Sequence, residues 1–178
     1  MNKLYIKFFV LVFVCCSQVY AEEDIKKNAL ALAKSMMSGD AGMLGMKLSL
    51  EQGVKAGQIP RSIFKCVELV SADRLYEFHA GIISREMEQK EIVAATNFYL
   101  SEAGRKHTKT SFINFRLAVG LKEEWSYPVF TKDEQEMLVK FKKSSAGKKL
   151  LVKEILASKE ANKQAQTIYK EIYEGCRP

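Results

Sequence analysis

The chain has 178 residues, 47% apolar and 28% charged, with a formal net charge of +7 at pH 7. Its size and apolar content suit one domain with a sizeable core, and no low-complexity stretch or linker marks a second. After Ala21 no apolar run is long enough to cross a membrane.

Residues 1–21, MNKLYIKFFVLVFVCCSQVYA, place Lys3 and Lys7 before an apolar run from Phe8 to Cys16 and end in Val19-Tyr20-Ala21. This is the order of a secretory signal peptide, predicting cleavage after Ala21 and a periplasmic or secreted protein. Lipidation of Cys15 or Cys16 is the alternative, although the residues before them, Val14 and Cys15, are not the small residues that usually precede a lipidated cysteine. The remaining stretch, 22–178, keeps Cys66 and Cys176. In an oxidising compartment two cysteines predict one disulfide, and two structural thiols are the other possibility.

From residue 22 onward the fold class reads as all-α, an antiparallel multi-helix array, because no stretch alternates with period two. EEDIKKNALALAKSMM opens with acids and carries Ile25, Leu32 and Met36 on one face, predicting a first helix that SGDAG, residues 38–42, breaks. A second helix follows over about 42–55, with Met43, Met46 and Leu50 together and Pro60 beyond its end. Ile63, Phe64, Val67 and Val70 form the stripe of a third, about 61–70. Ser71 caps a fourth, striped by Leu75, Phe78, Ile82 and Ile83.

The second half repeats itself. FYLSEAGRK (98–106) returns as FKKSSAGKK (141–149), with Ser101 aligned to Ser144 and Gly104 to Gly147, an offset of 43. Units of about 88–120 and 131–174 are therefore predicted as two related helical hairpins. In the first, a short helix at 88–100 precedes a longer one at 101–120. In the second, the capping box TKDE, from Thr131 to Glu134, opens a helix over 132–142, and a long helix runs from about 145 to 174.

Two readings of the repeated element compete. As a joint, Ser101 and Ser144 are N-caps, Ala and Gly admit a close neighbour, and Arg105-Lys106 and Lys148-Lys149 point to solvent. As a binding signature, free helix-start N–H groups beside Ser101, Gly104, Arg105, Lys106, Ser144, Gly147, Lys148 and Lys149 hold an anion. Trp125, in the loop between the units, is either a lid over the core or an exposed anchor for a partner.

The element F-[Y/K]-x-S-x-A-G-[R/K]-K, the signal sequence and the helical content resemble secreted bacterial proteins of domain of unknown function 2059. The resemblance covers about residues 86–152. It departs from the usual pattern at Glu102 and Ser145, where proline is frequent, and at Lys142, where a second aromatic is usual. It implies an all-α exported domain and transfers no catalytic residue.

No catalytic motif, metal-ligand set or cofactor fingerprint is present, so none is assigned. His79 and His107 read as surface or satisfied side chains, and Met36, Met37, Met43 and Met46 as core fillers rather than soft-metal ligands. The expected function is a non-enzymatic binding or interaction protein for an anionic envelope component or a protein partner. Nucleic acid is not expected, because the aromatics do not interleave with the cations. The rivals are an envelope-acting hydrolase, which needs a pocket gathering a histidine with serines or carboxylates, and an inhibitor or immunity protein, which needs a protruding loop at Trp125.

Overall fold

A computed structural model describes residues 23–122 and 125–177. The predicted signal segment 1–21 and the pair Glu123-Glu124 lie outside the described residues. Those described form helices and connecting turns, with no strand among them. Helix α1 spans 23–35. It is followed by α2 (Ser38–Lys55), α3 (Arg61–Glu68), α4 (Asp73–Glu86), α5 (Gln89–Leu100), α6 (Glu102–Ala118), α7 (Lys132–Lys143), the single turn α8 (Ser145–Gly147) and α9 (Lys159–Gly175).

Helix α4 sits at the centre and feeds two cores. Tyr76, Ala80 and Ile83 join Leu32 of α1, Ile92, Phe98 and Tyr99 of α5, Phe141 of α7 and Leu150 in one apolar cluster. Leu75 points into the other, with Met43, Met46 and Leu50 of α2, Ile63 and Val67 of α3, and Ile172 of α9. Met43 and Met46 are thus core residues. Burial on this scale, at roughly 25 cal/mol per Å² of apolar surface, is the main force holding the helices together.

Two sequence expectations need correction. SGDAG does not break the chain; it begins α2, and the break falls one residue earlier, where Met37 takes a left-handed conformation with φ 53°. The glycines serve packing instead. A Cβ on Gly39 would lie 2.8 Å from the Tyr76 ring, and one on Gly42 would lie 2.9 Å from both Leu75 and Tyr169. The Tyr76 hydroxyl donates to Asp40 at 2.6 Å, which fastens α2 to α4.

The second correction concerns the last helix. The expected helix over 145–174 is divided: α8 runs into a π-helical turn at Lys148–Val152, Glu154 adopts φ 50°, and a 3-10 turn at Ile155–Ala157 precedes α9. The division lets Ile155 and Leu156 pack against the first core, while α9 swings back over α4 and α3. Ser158 restarts the helix by accepting from the Ala161 N–H at 3.2 Å.

Cys66 of α3 and Cys176, at the end of α9, form a disulfide with Cα atoms 5.7 Å apart. It closes a separation of 110 residues and holds α9 to the first half of the chain.

Candidate functional site

The duplicated element is built as a joint, twice. Ser101 both ends α5 and begins α6, and Ser144 does the same for α7 and α8. The Ser101 hydroxyl donates to the Phe98 carbonyl at 2.6 Å and accepts from the Gly104 N–H at 3.1 Å. Ser144 repeats this on Phe141 and Gly147 at 2.6 and 3.0 Å. The corner is so tight that a Cβ on either glycine would stand 1.9 Å from the preceding phenylalanine carbonyl oxygen. The glycine N–H groups that an anion would need are already taken by the serines.

The joints also recognise each other. The rings of Phe98 and Phe141 stack with centroids 3.9 Å apart and planes 6° apart. Lys106 of the first unit pairs with Glu134 of the second at 2.8 Å, and Lys149 of the second pairs with Glu91 of the first at 2.7 Å. Glu91 and Glu134 occupy the same position in their units, third in the first turn of α5 and of α7, where each closes a capping box. Each contact is therefore repeated with the partners exchanged, the pattern of a twofold interface folded into one chain.

Lys106 and Lys149 accordingly do not point into solvent as predicted. They are 22% and 26% exposed, and Glu91 is 7% exposed. Burial alone would raise the Glu91 pKa, but hydrogen bonds from Lys149 and Ser145 outweigh it and hold the carboxyl at about 2. Hydrogen bonding from Lys106 likewise lowers Glu134. The signal for these pairs was the same offset of 43 extended back to Glu91 and Glu134, beyond the quoted element. Lys148 remains exposed.

Arg105 and Trp125, predicted separately, converge. Both line a surface cavity of about 440 Å³ with Met37, Thr108, Lys109 and Phe112. Trp125 lies against Phe112 with ring centroids 6.1 Å apart, and the Arg116 guanidinium lies over the Trp125 ring, 5.2 Å from its centroid. The Tyr127 hydroxyl donates to Asn114 at 2.8 Å, holding the loop down on α6. Trp125 is thus 46% exposed and forms one wall of this cavity rather than a lid over the core. Arg105 is oriented by Glu102 at 2.8 Å and by the Leu100 carbonyl. Thr108 donates to the Ser35 carbonyl at 3.3 Å, which sets α6 against the α1–α2 turn. The cavity therefore presents cations at one end and an aromatic and thioether wall at the other.

A second, larger cleft of about 730 Å³ lies between α2, the end of α6, and α9, with His79 of α4 in its lining. Burial lowers the His79 pKa to about 4, so the ring is neutral at pH 7, and its Nδ1 has no hydrogen-bond partner. Ser38 and Ser49 line the same cleft, but their hydroxyls donate to the Ala33 and Gly45 carbonyls. Among the described residues the cleft holds no contact between a serine nucleophile and a histidine base. His107 is packed beside the rings of Phe98 and Tyr99, and burial lowers its pKa.

Comparison with protein-family models, with characterised proteins and with solved structures finds no match for this chain.

Proposed function

We propose that this chain is an exported, non-enzymatic binding protein that takes an anionic ligand with an apolar body in the cavity at Trp125. The observation that carries the reading is the convergence of Arg105 and Lys109 with Phe112 and Trp125 in one recess. Cations at one end of an apolar recess fix the orientation of such a ligand, while the aromatic wall supplies contact area. The signal-like N-terminus supports export, and the disulfide is compatible with it. The proposal includes membership of the secreted proteins of domain of unknown function 2059, on the strength of the duplicated element.

Trp125 is the only tryptophan in the chain, so its fluorescence reports on this cavity alone. Titration with benzoate is expected to change that fluorescence saturably, more weakly at high salt. The response should vanish in Arg105→Glu and in Lys109→Glu. A response that survives both charge reversals and high salt refutes the reading.

A further inference from the structure

Both recesses take part of their wall from α6. Arg105, Lys109, Phe112 and Phe115 of α6 and its C-cap Val119 fall at spacings of four, three, three and four, so they share one face. The first three line the cavity at Trp125, and the last two line the larger cleft. On the opposite side Ser35 and Met37 line the first recess, and Ser38 and Ala41, next along the chain, line the second. The recesses, which share no lining residue, are thus neighbours along α6, a trench about 21 Å long from Arg105 to Val119 at the rise of an α-helix.

Polarity changes along this trench. Arg105 and Lys109 stand at one end, the rings of Phe112, Trp125 and Phe115 follow, and the far end is walled by Ala41, Gly42 and Gly45 of α2 and by Ala165 and Tyr169 of α9. Lys170, at the rim of the far end, is paired with Glu174. Among the described residues no acidic side chain lines either recess. His79, neutral at pH 7, adds no charge to the apolar end.

We propose that the trench binds a single-chain anionic amphiphile, its carboxylate at Arg105 and Lys109 and its chain laid along Phe112 and Phe115 into the α2–α9 cleft. This rests on the anion-site reading above and extends it to the larger cleft. The ligand is a free monomer rather than a membrane surface, because the apolar walls lie within recesses and the head end offers only two cations, one of them, Arg105, already paired with Glu102. Small side chains on α2 are what leave the groove open: a Cβ on Gly45 would meet only Phe115, at 3.6 Å.

The test compares benzoate, laurate and palmitate, the last two below their micellar concentrations, and phosphatidylglycerol vesicles, all read by Trp125 fluorescence. Palmitate is expected to bind at least about tenfold more tightly than benzoate, since each buried methylene adds affinity. Gly45→Leu and, separately, Ala41→Leu should remove that gain while leaving benzoate unchanged. Equal affinity for benzoate and palmitate overturns the amphiphile while sparing the anion site. Loss of the response to every ligand overturns both. A response to vesicles without one to monomeric palmitate also overturns it, in favour of a lipid surface.

Discussion

Gly147→Ala tests the joint most directly, because two physical effects predict opposite signs. Replacing glycine by alanine in a helix ordinarily stabilises by roughly 0.5–1 kcal/mol. Here the new methyl carbon would stand 1.9 Å from the Phe141 carbonyl oxygen and 2.9 Å from Lys142 Cα. The carbonyl cannot retreat, since it accepts from the Ser144 hydroxyl at 2.6 Å and from the Ser144 N–H at 2.9 Å. Opening the corner loosens both hydrogen bonds, each worth about 1 kcal/mol, and disturbs the Phe98–Phe141 stack, worth about 0.5–1.5 kcal/mol. With the displaced packing of Ala146, the net loss is about 3–4 kcal/mol. Gly104→Ala should match it, as its methyl meets the Phe98 carbonyl at the same 1.9 Å. Gly81→Ala in α4 is the control: its nearest contact is Arg85 at 3.6 Å, so it should be stabilising. Urea unfolding at pH 7, followed by circular dichroism, reads all three. If Gly147→Ala proves as stable as Gly81→Ala, the steric argument fails.

Lys149→Glu faces Glu91 across a nearly buried contact and should cost about 3–5 kcal/mol, whereas Lys148→Glu, on the exposed side, should stay within about 0.5 kcal/mol; equal effects by urea unfolding would deny the exchange of ion pairs between the units. The Glu91 carboxyl, held at about 2 in the folded chain, stabilises fully above about pH 4.5 and loses that contribution as pH falls towards 2. The loss amounts to at most about 3 kcal/mol, and Glu91→Gln should flatten this part of the stability–pH curve. His79 has its folded pKa depressed to about 4, so the unfolded chain binds the proton first, and stability falls as pH drops from about 6.5 through 4. His79→Leu should reduce that slope, leaving the share of His107, whose pKa burial also lowers, and be no less stable than the wild type at pH 7; an unchanged slope would place the titration elsewhere. Reducing Cys66–Cys176, which closes 110 residues, should lower stability by up to about 4–5 kcal/mol on the chain-entropy argument, measured by urea unfolding with and without reductant.

Features governed by neighbouring residues are legible in the sequence. The caps at Thr131, Ser101 and Ser144 depend on a side chain and an N–H three residues away, and the structure forms all three, whereas α4 starts after Ala72 with no side-chain cap and not at Ser71 as expected. The all-α class follows from periodicity, and the disulfide from the presence of just two cysteines in residues 22–178. The repeat was visible as a constant offset, because duplication copies residues in order.

What was not legible depends on partners far apart in the chain. The glycines of SGDAG look like a helix stop, yet α4 covers them, and burial against Tyr76 and Leu75 outweighs their low helix propensity. The division at Glu154 follows from where the Ile155–Leu156 pair and α9 must pack, not from any local stop signal. Lys106 and Lys149 carry the same charge as exposed Lys148 and differ only in having a carboxylate from the other unit opposite them. Arg105 and Trp125 meet because Tyr127 and the α1–α2 turn hold the loop and helix together. Local hydrogen bonding and periodicity are written residue by residue, but which surface a side chain finally faces is decided by the packing of the whole chain.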